Sequence, residues 1–120
     1  MKGTDCFREL LGIKLVDAKD GYSKMTMKVT KQQTNALGFT HGGVVFSFAD
    51  CAFAEACNYG DKVAVAVHAS INYTRPTKEG DELTAEATRV SEGKTFGLYN
   101  ITVRKEDKIV AVFSGLACKQ

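Results

Sequence analysis

The residues most able to do chemistry in this sequence lie between positions 41 and 50, and the first of them are two adjacent glycines. Gly42 and Gly43 stand where an apolar segment begins, and the first N–H groups of a helix have no internal partner and lie at the positive end of its dipole. Because glycine has no Cβ, a ligand oxygen can approach those N–H groups closely. The pair suits a hole for an oxyanion that develops on an attacked carbonyl. The alternative is a tight turn that needs glycine only for its dihedrals.

Asp50 is the second candidate, because it interrupts an otherwise apolar run. Burying a carboxylate without partners is costly, so this side chain must face a cavity, a partner or solvent. In a cleft it would serve as a base or nucleophile, whereas on an exposed strip it would be an ordinary solvated or paired charge. Ser47 lies one helical turn earlier and could hydrogen-bond to it. Glu55 falls on a different face, where we expect it to be solvated or ion-paired.

The spacing of these candidates makes a prediction about assembly. Gly42 and Asp50 are eight residues apart, which is about 12 Å along a helix. A carboxylate cannot span that distance to a carbonyl held at the start of its own helix. If both groups act on one bond, they must come from two chains. A two-fold dimer with antiparallel helices would pair them twice.

Two further polar residues lead into the same helix start. His41 could orient a substrate or cap the helix, and the sequence alone slightly favours capping. Asn35 is a common turn residue that nothing local singles out.

Other chemistries fit the sequence poorly. No G-x-S-x-G motif is present for a serine hydrolase, and no phosphate-binding P-loop is present. A Cys–His hydrolase would need Cys51 or Cys57 near His41 or His68, but thiols inside an apolar helix are usually inert. The sequence has two histidines, and their spacing is not that of zinc ligands, so a zinc site is not expected.

Composition narrows the class of protein further. Sixteen Lys and Arg against fourteen Asp and Glu give a net charge of +2, too balanced to indicate nucleic acid or an anionic membrane as partner. The longest apolar stretch, 44–57, is too short to cross a bilayer and carries two acids. With no signal segment and no C-x-x-C pair, we expect four reduced thiols in a cytoplasmic protein.

The elements that must position these residues follow from periodicity. Residues 42–57 predict a helix of about sixteen residues that is apolar on every side and therefore enclosed. Alternation predicts strands at 63–74, 81–92, 94–106 and 108–118, and a hairpin formed by 13–16 and 22–30. Most of these strands have one apolar face, made in the second hairpin arm by Met25, Met27 and Val29 and in 81–92 by Leu83, Ala85 and Ala87, which indicates an antiparallel sheet with one buried face. A short helix over 5–11 would end at Gly12. One buried helix with a long antiparallel sheet is an α+β domain, which would occupy residues 1–120.

Read together, these residues resemble the PaaI-like hotdog thioesterases over nearly the whole chain after Lys14. The motif H-G-G-x7-D and the tail A-F-A-x-A-C-N are its most specific parts. The matching segments are Asn35, residues 41–50, 52–54 and 56–58, 71–76, 80–85, 93–97 and 110–115.

The resemblance implies a hotdog fold, a long antiparallel sheet wrapped around one central buried helix, in a homodimer or homotetramer. It also implies that Gly42 polarises the thioester carbonyl of an acyl-CoA. Asp50 of the facing subunit would be the base or nucleophile, with Asn35 and His41 holding the reacting group or the water. No metal or redox cofactor is implied, because coenzyme A is part of the substrate.

Substrate contacts are also implied by the resemblance. Gly43 and Ser47 would be substrate-binding residues, and the basic residues Arg75, Lys78, Arg89 and Lys94 are candidates for the coenzyme A phosphates. Some relatives carry a hydroxyl near the position of Ala66, where this chain has none. Family analogy suggests phenylacetyl-CoA or a ring-hydroxylated form as the acyl-CoA to try first. A non-catalytic acyl-CoA-binding module and a hotdog hydratase remain the alternatives.

Overall fold

The computed structural model describes residues 3–120, in which two α-helices and a short 3-10 helix accompany six β-strands. The helices are α1 (Cys6–Leu10) and α2 (Gly42–Cys57), the 3-10 helix is Lys31–Gln33, and the strands are β1 (Lys14–Lys19), β2 (Tyr22–Lys28), β3 (Ala64–Tyr73), β4 (Glu82–Glu92), β5 (Phe96–Lys105) and β6 (Lys108–Lys119). The predicted sixteen-residue helix is confirmed, and β3 to β6 begin and end within two residues of their predicted limits.

All six strands belong to one sheet with the order β1-β2-β4-β5-β6-β3, and every neighbouring pair is antiparallel. Alternate side chains point to opposite faces, so the predicted period of two separates a buried face from an open one. The residues predicted to share the buried face do so, each being at most 2% exposed: Met25, Met27, Val29, Leu83, Ala85 and Ala87. The α+β hotdog architecture is therefore confirmed.

Helix α2 packs across the buried face of the sheet, with aromatic rings at the centre of the contact. The Phe53 ring lies 5.5 Å from the Tyr99 ring and 5.9 Å from the Phe113 ring, measured between centroids. Phe46 meets Phe113 edge-on at 5.2 Å. The hydroxyl of Ser23, which is fully buried, donates to the Ala52 carbonyl at 2.6 Å and fixes β2 to the helix.

The prediction that α2 is enclosed on every side holds only for its sheet side. A line of residues on the far side is partly exposed, and we call it the outer stripe: Val44, Ser47, Asp50 and Ala54. The sheet of one chain curves around one side of the helix only. An apolar surface with one acid on it is therefore left for a further covering element.

The N-terminal region covers part of the far side of α2. Helix α1 begins at the N-cap Asp5 and is followed by Gly12 at φ 72°, which ends the helix as predicted. Arg8 reaches α2, where its Nη1 lies 3.8 Å from Glu55 Oε2. Glu55 is only 8% exposed, so the expectation of an ion pair is confirmed and that of a solvated side chain is wrong.

The strand before the first turn, β1, is longer than predicted and extends to Lys19.

The two edges of the sheet differ in chemistry. Three of the six residues of β1 are charged, which discourages pairing with another strand. The ten residues of β3 include no Asp, Glu, Lys, Arg or Pro, and most of them are exposed. This strand presents a long row of unpaired backbone groups without the usual protection.

Among the helices of residues 3–120, none is both long enough and apolar enough to cross a bilayer.

Candidate active site

The site begins at the N-terminus of α2, where His41 is the N-cap residue. Its backbone is extended (φ −61°, ψ 135°), and its Nδ1 accepts a hydrogen bond of 3.1 Å from the Gly43 N–H. The capping role that the sequence favoured is therefore present, and it requires an unprotonated Nδ1. Within residues 3–120, no hydrogen bond engages the N–H of Gly42. One free donor thus remains at the positive end of the helix.

The carbonyls of the two glycines are both held by hydroxyl groups. The Tyr73 hydroxyl donates to the Gly42 carbonyl at 2.9 Å, and the Ser47 hydroxyl donates to the Gly43 carbonyl at 2.8 Å. The sequence allowed a hydrogen bond from Ser47 to Asp50, but the Ser47 hydroxyl instead turns back one turn toward the helix backbone. The first turn of α2 is therefore fixed by side chains on several sides.

A shallow pocket of about 320 Å³ opens beside the Gly42 N–H. Its wall is mainly apolar, and among the described residues that line it Arg75 alone is charged. The lining residues are Phe39, Thr40, Gly42, Val45, Tyr73, Thr74, Arg75, Pro76, Thr77 and Val110. A basic side chain at the rim of an apolar cleft suits a ligand with an apolar group and an anionic tail.

Asp50 lies in the middle of α2 on the outer stripe, partly buried. Within residues 3–120, neither a hydrogen bond nor an ion pair engages its carboxylate. Burial raises the pKa of Asp50 above its ordinary value, and the negative charge of Asp5 adds to that effect. A partly desolvated carboxylate with a raised pKa is a stronger base than a solvated one.

In one chain the two candidate groups are apart. Asp50 does not line the pocket beside Gly42, and eight helical residues separate them by about 12 Å. The free N–H and the free carboxylate therefore have no common target within a single subunit.

Asn35 organises the loop that precedes the helix. Its Oδ1 accepts from the N–H groups of Leu37 and Phe39, at 2.9 and 3.1 Å, and its own N–H donates to the Phe39 carbonyl. The bridge between Thr34 and Thr40 brings this loop back to His41. These bonds leave the side-chain NH₂ of Asn35 as its remaining donor.

Two of the basic residues proposed for coenzyme A, Arg75 and Lys94, lie at opposite ends of the sheet. Arg75 follows β3 at the pocket, whereas Lys94 lies in the turn between β4 and β5. Because β6 pairs with Tyr73 at one end and Phe96 at the other, roughly 23 Å of strand separates them. Lys94 cannot reach the pocket of its own subunit.

The competing chemistries find no support in the site. Burial raises the pKa of Cys51 to about 12 and that of Cys57 to about 11, so neither thiol ionises near neutral pH. All four cysteines are free. No cluster of His, Cys, Asp or Glu that could hold a metal ion occurs in residues 3–120.

Sequence reasoning missed Tyr73 as a site residue. Although the residue lies inside a matched motif, its hydrogen bond to Gly42 spans 31 positions. Nothing in a local pattern links the two, and only the register of β3 beside the start of α2 brings them together.

Comparison with known proteins defines the class. Residues 37–112 match the Thioesterase superfamily, and the chain belongs to that family. Over 116 residues the chain is 41% identical to the acyl-coenzyme A thioesterase PaaI of Escherichia coli strain K12, covering 96% of this chain and 83% of that protein.

Two solved structures narrow the branch. The E. coli PaaI protein from the phenylacetic acid degradation operon has a TM-score of 0.93 at 39% identity, covering 97% of this chain and 85% of that one. A mutant of the phenylacetic acid degradation protein PaaI from Thermus thermophilus has a TM-score of 0.94 at 32% identity, covering 97% and 100%. The chain is a PaaI-like hotdog thioesterase, and its enzymatic class is thioester hydrolase, acting on acyl-CoA.

Proposed function

We propose that this enzyme hydrolyses an acyl-CoA at a site built from two subunits, with Gly42 of one chain and Asp50 of the other. The observation that carries the proposal is a pair of groups on α2 that have no partner within residues 3–120: the N–H of Gly42, a residue that lines the pocket, and the carboxylate of Asp50, about 12 Å further along the same helix. Thioester hydrolysis needs both an oxyanion donor and a base or nucleophile, and neither group can supply both.

The unprotected edge of β3 supports a homodimer. An edge strand of ten residues without charge or proline favours pairing with another strand, and a second copy of β3 is the simplest partner. A two-fold axis perpendicular to the sheet would make the two β3 strands antiparallel, and the two α2 helices with them. The outer stripe, which includes Asp50, would then face the partner.

The chemistry follows from these two groups. The Gly42 N–H donates to the carbonyl oxygen of the thioester and stabilises the negative charge that forms there. Asp50 accepts a proton from water as the water attacks the carbonyl carbon. The C–S bond then breaks, and the coenzyme A thiolate takes up a proton. In the alternative course, the Asp50 carboxylate attacks the carbonyl carbon directly, and the C–S bond breaks to release the coenzyme A thiolate, which takes up a proton. Water then hydrolyses the resulting anhydride to the free acid and regenerates the Asp50 carboxylate.

The other candidate residues would hold the backbone of the site, the substrate or the water in position. His41 and Ser47 hold the N–H and the carbonyl of Gly43, which would serve the acyl site by leaving it free of a side chain, and Asn35 keeps an amide donor for the thioester or the water. Arg75 would bind a coenzyme A phosphate at the rim of the pocket.

Lys94 can contribute only across the dimer. The Lys119 N–H donates to the Thr95 carbonyl, so the turn with Lys94 lies near the end of the sheet where β3 begins. Antiparallel pairing of two β3 strands brings that end toward Arg75 of the other chain. The partner subunit's Lys94 is therefore the one that would approach the pocket.

The proposed substrate is an arylacetyl-CoA, with phenylacetyl-CoA or a ring-hydroxylated form first. The pocket is mainly apolar, with Phe39, Val45 and Val110 in its wall, which suits a ring. Similarity to PaaI proteins of phenylacetic acid degradation supports the same substrate and a role in phenylacetate catabolism.

We extend the proposal to a homotetramer in the cytoplasm. The open face of the sheet carries an apolar patch of Phe96, Leu98 and Leu116, the first two 47% and 38% exposed, which favours stacking of two dimers. Four free thiols fit a reducing compartment.

The test is thiol release from phenylacetyl-CoA and a panel of aliphatic acyl-CoAs. We expect Asp50→Asn to lower kcat by ~100-fold or more with little change in KM, because the isosteric amide neither accepts the proton nor attacks. Asp107→Asn, an exposed acid in the β5–β6 turn, is the matched control. Equal activity of Asp50→Asn and wild type would remove Asp50 from the chemical step. Hydration of crotonyl-CoA without thiol release would instead indicate a hydratase, and binding without turnover a binding module.

Subunit mixing tests the two-chain site. Asp50→Asn and Gly42→Val chains, each inactive alone, form mixed dimers with one intact site of two. Random mixing should then restore about a quarter of wild-type activity, because half of the dimers are mixed. If refolded mixtures stay inactive although mixed dimers form, the two groups do not meet across an interface.

A further inference from the structure

The peptide that joins Gly42 to Gly43 is held at both ends by side chains. Its oxygen accepts the Tyr73 hydroxyl at 2.9 Å, and its N–H donates to His41 Nδ1 at 3.1 Å. The free N–H of Gly42 belongs to the preceding peptide, one Cα away. The two peptides share the Cα of Gly42, so holding one of them fixes the position of the atom from which the other extends and narrows the range of directions that its N–H can take.

The two adjacent glycines explain why the peptide between them needs to be held by side chains. Glycine has more backbone freedom than any other residue, and helix ends fray. His41 and Ser47 both belong to the same chain segment as the glycines, so they move with it. Tyr73 lies at the end of β3, a strand of the sheet, and its hydroxyl ties the helix start to a different, rigid element.

The Tyr73 ring also lies directly against Gly42. A Cβ added to Gly42 would lie 3.3 Å from both Cζ and the hydroxyl oxygen of Tyr73. Ring and glycine are therefore fitted to each other at the wall of the pocket, where Tyr73 is 51% exposed. The Tyr73 hydroxyl donates its one proton to the carbonyl of Gly42 and so links β3 to the start of α2.

We propose that Tyr73 is a positioning residue for thioester hydrolysis, which aims the Gly42 N–H at the substrate carbonyl by holding the next peptide. The inference rests on the proposed role of Gly42 as the oxyanion donor. Tyr73 does not touch the reacting atoms in this account. It acts through the direction of one N–H group, and the direction matters most when charge develops on the oxygen.

The first test is Tyr73→Phe, which removes one oxygen and keeps the ring against Gly42. We expect kcat to fall roughly 3- to 10-fold, the range of one net hydrogen bond, with KM little changed because the donor acts mainly in the transition state. Tyr59→Phe is the control, since Tyr59 is also exposed but follows the C-terminal end of α2. We expect it to match wild type.

A spectroscopic test separates positioning from a merely structural role. Phenylacetyl-CoA labelled with ¹³C at the thioester carbonyl is bound to Asp50→Asn enzyme, and the carbonyl stretch is recorded by isotope-edited infrared difference spectroscopy. An N–H donor lowers that frequency. We expect a downshift relative to free substrate, and a smaller downshift in Asp50→Asn/Tyr73→Phe.

The outcomes distinguish the inference from the function on which it rests. No downshift in Asp50→Asn, or undiminished hydrolysis by that variant, would refute the proposed site itself. A downshift that Tyr73→Phe leaves unchanged, or a wild-type kcat for Tyr73→Phe, would overturn the role of Tyr73 alone. A lower melting temperature with an unchanged carbonyl frequency would make Tyr73 structural only.

Discussion

Replacing Gly115 with alanine tests how tightly α2 is held against the sheet. Gly115 lies on the buried face of β6, and an added Cβ would lie 2.6 Å from Cε2, 2.7 Å from Cζ and 2.9 Å from Cδ2 of Phe53. Ordinary contacts of a Cβ begin at 3.4 Å, so about 0.8 Å of movement is needed. Phe53 is 1% exposed and packs against the rings of Tyr99 and Phe113, so a shift of its ring disturbs those contacts.

Overpacking of this kind costs about 1–3 kcal/mol of unfolding free energy. For 120 residues, each kcal/mol corresponds to about 4 °C in melting temperature, so we expect a fall of roughly 4–12 °C. If α2 moves to relieve the clash, Asp50, one turn before Phe53, moves with it. A displacement near 1 Å at a reacting group can cost about 100-fold in rate. Activity at temperatures far below melting should therefore fall as well.

The assay is a thermal melt at fixed protein concentration, together with thiol release from phenylacetyl-CoA. Gly93→Ala is the matched control, because its Cβ would meet only a carbonyl oxygen at 3.7 Å, and we expect a change within about 0.5 kcal/mol. Phe53→Leu removes the clashing ring atoms, so Gly115→Ala should cost much less in that background. The reasoning is refuted if Gly115→Ala melts at or above the wild-type temperature, or if its cost is the same with Leu at position 53.

Three further predictions concern charge and thiols. Asp5→Asn keeps a residue that can cap helix α1 but removes a negative charge that raises the pKa of Asp50. The fall of kcat/KM on the acidic side of its pH profile should therefore move to lower pH. An unchanged profile would contradict this. The raised pKa of Asp50 means that the folded chain binds its proton more tightly than the unfolded chain does, so ionised Asp50 lowers stability above the unfolded pKa, about 3.9. Asp50→Asn should therefore raise the melting temperature at pH 7, and the gain over wild type should shrink as pH falls below the folded pKa; a constant gain across pH would argue against desolvation as its cause. Iodoacetamide at neutral pH should leave Cys51 and Cys57 of the native enzyme unmodified, as measured by peptide mass mapping, and should not inactivate the enzyme through them. Rapid labelling of either residue would make a thiol nucleophile a candidate again.

The elements of the fold could be read from the sequence because their patterns are local. Alternation in β2 and β4 placed Met25 and Leu83 on the buried face, and both are buried. The order of the strands could not be read, since β3 is apolar on both faces and resembles a central strand. In this chain it is an edge, and its composition fits an edge that pairs with another chain.

The candidate site was predictable where the chemistry depends on one helix. The free donor at Gly42 and the costly carboxylate at Asp50 both follow from residue type and position in α2. The contacts that hold them could not be predicted, because they depend on distances between elements. Ser47 turns to the Gly43 carbonyl, and Lys94 lies at the far end of the sheet from its own pocket.

In the proposed site, the placement of both groups on one helix makes each chain incomplete by itself. A helix is rigid, so the separation between Gly42 and Asp50 is fixed, and neither can adjust to the other. When two such helices lie antiparallel, the Gly42 N–H of one chain lies near the Asp50 carboxylate of the other at both ends of the pair. The rigidity of the helices then keeps each donor and its acid at a constant distance. The desolvation that makes Asp50 a better base also costs the isolated fold some stability. That cost is tolerable because the tight contact of α2 with the sheet and the hydrogen bonds at its start hold the helix in place.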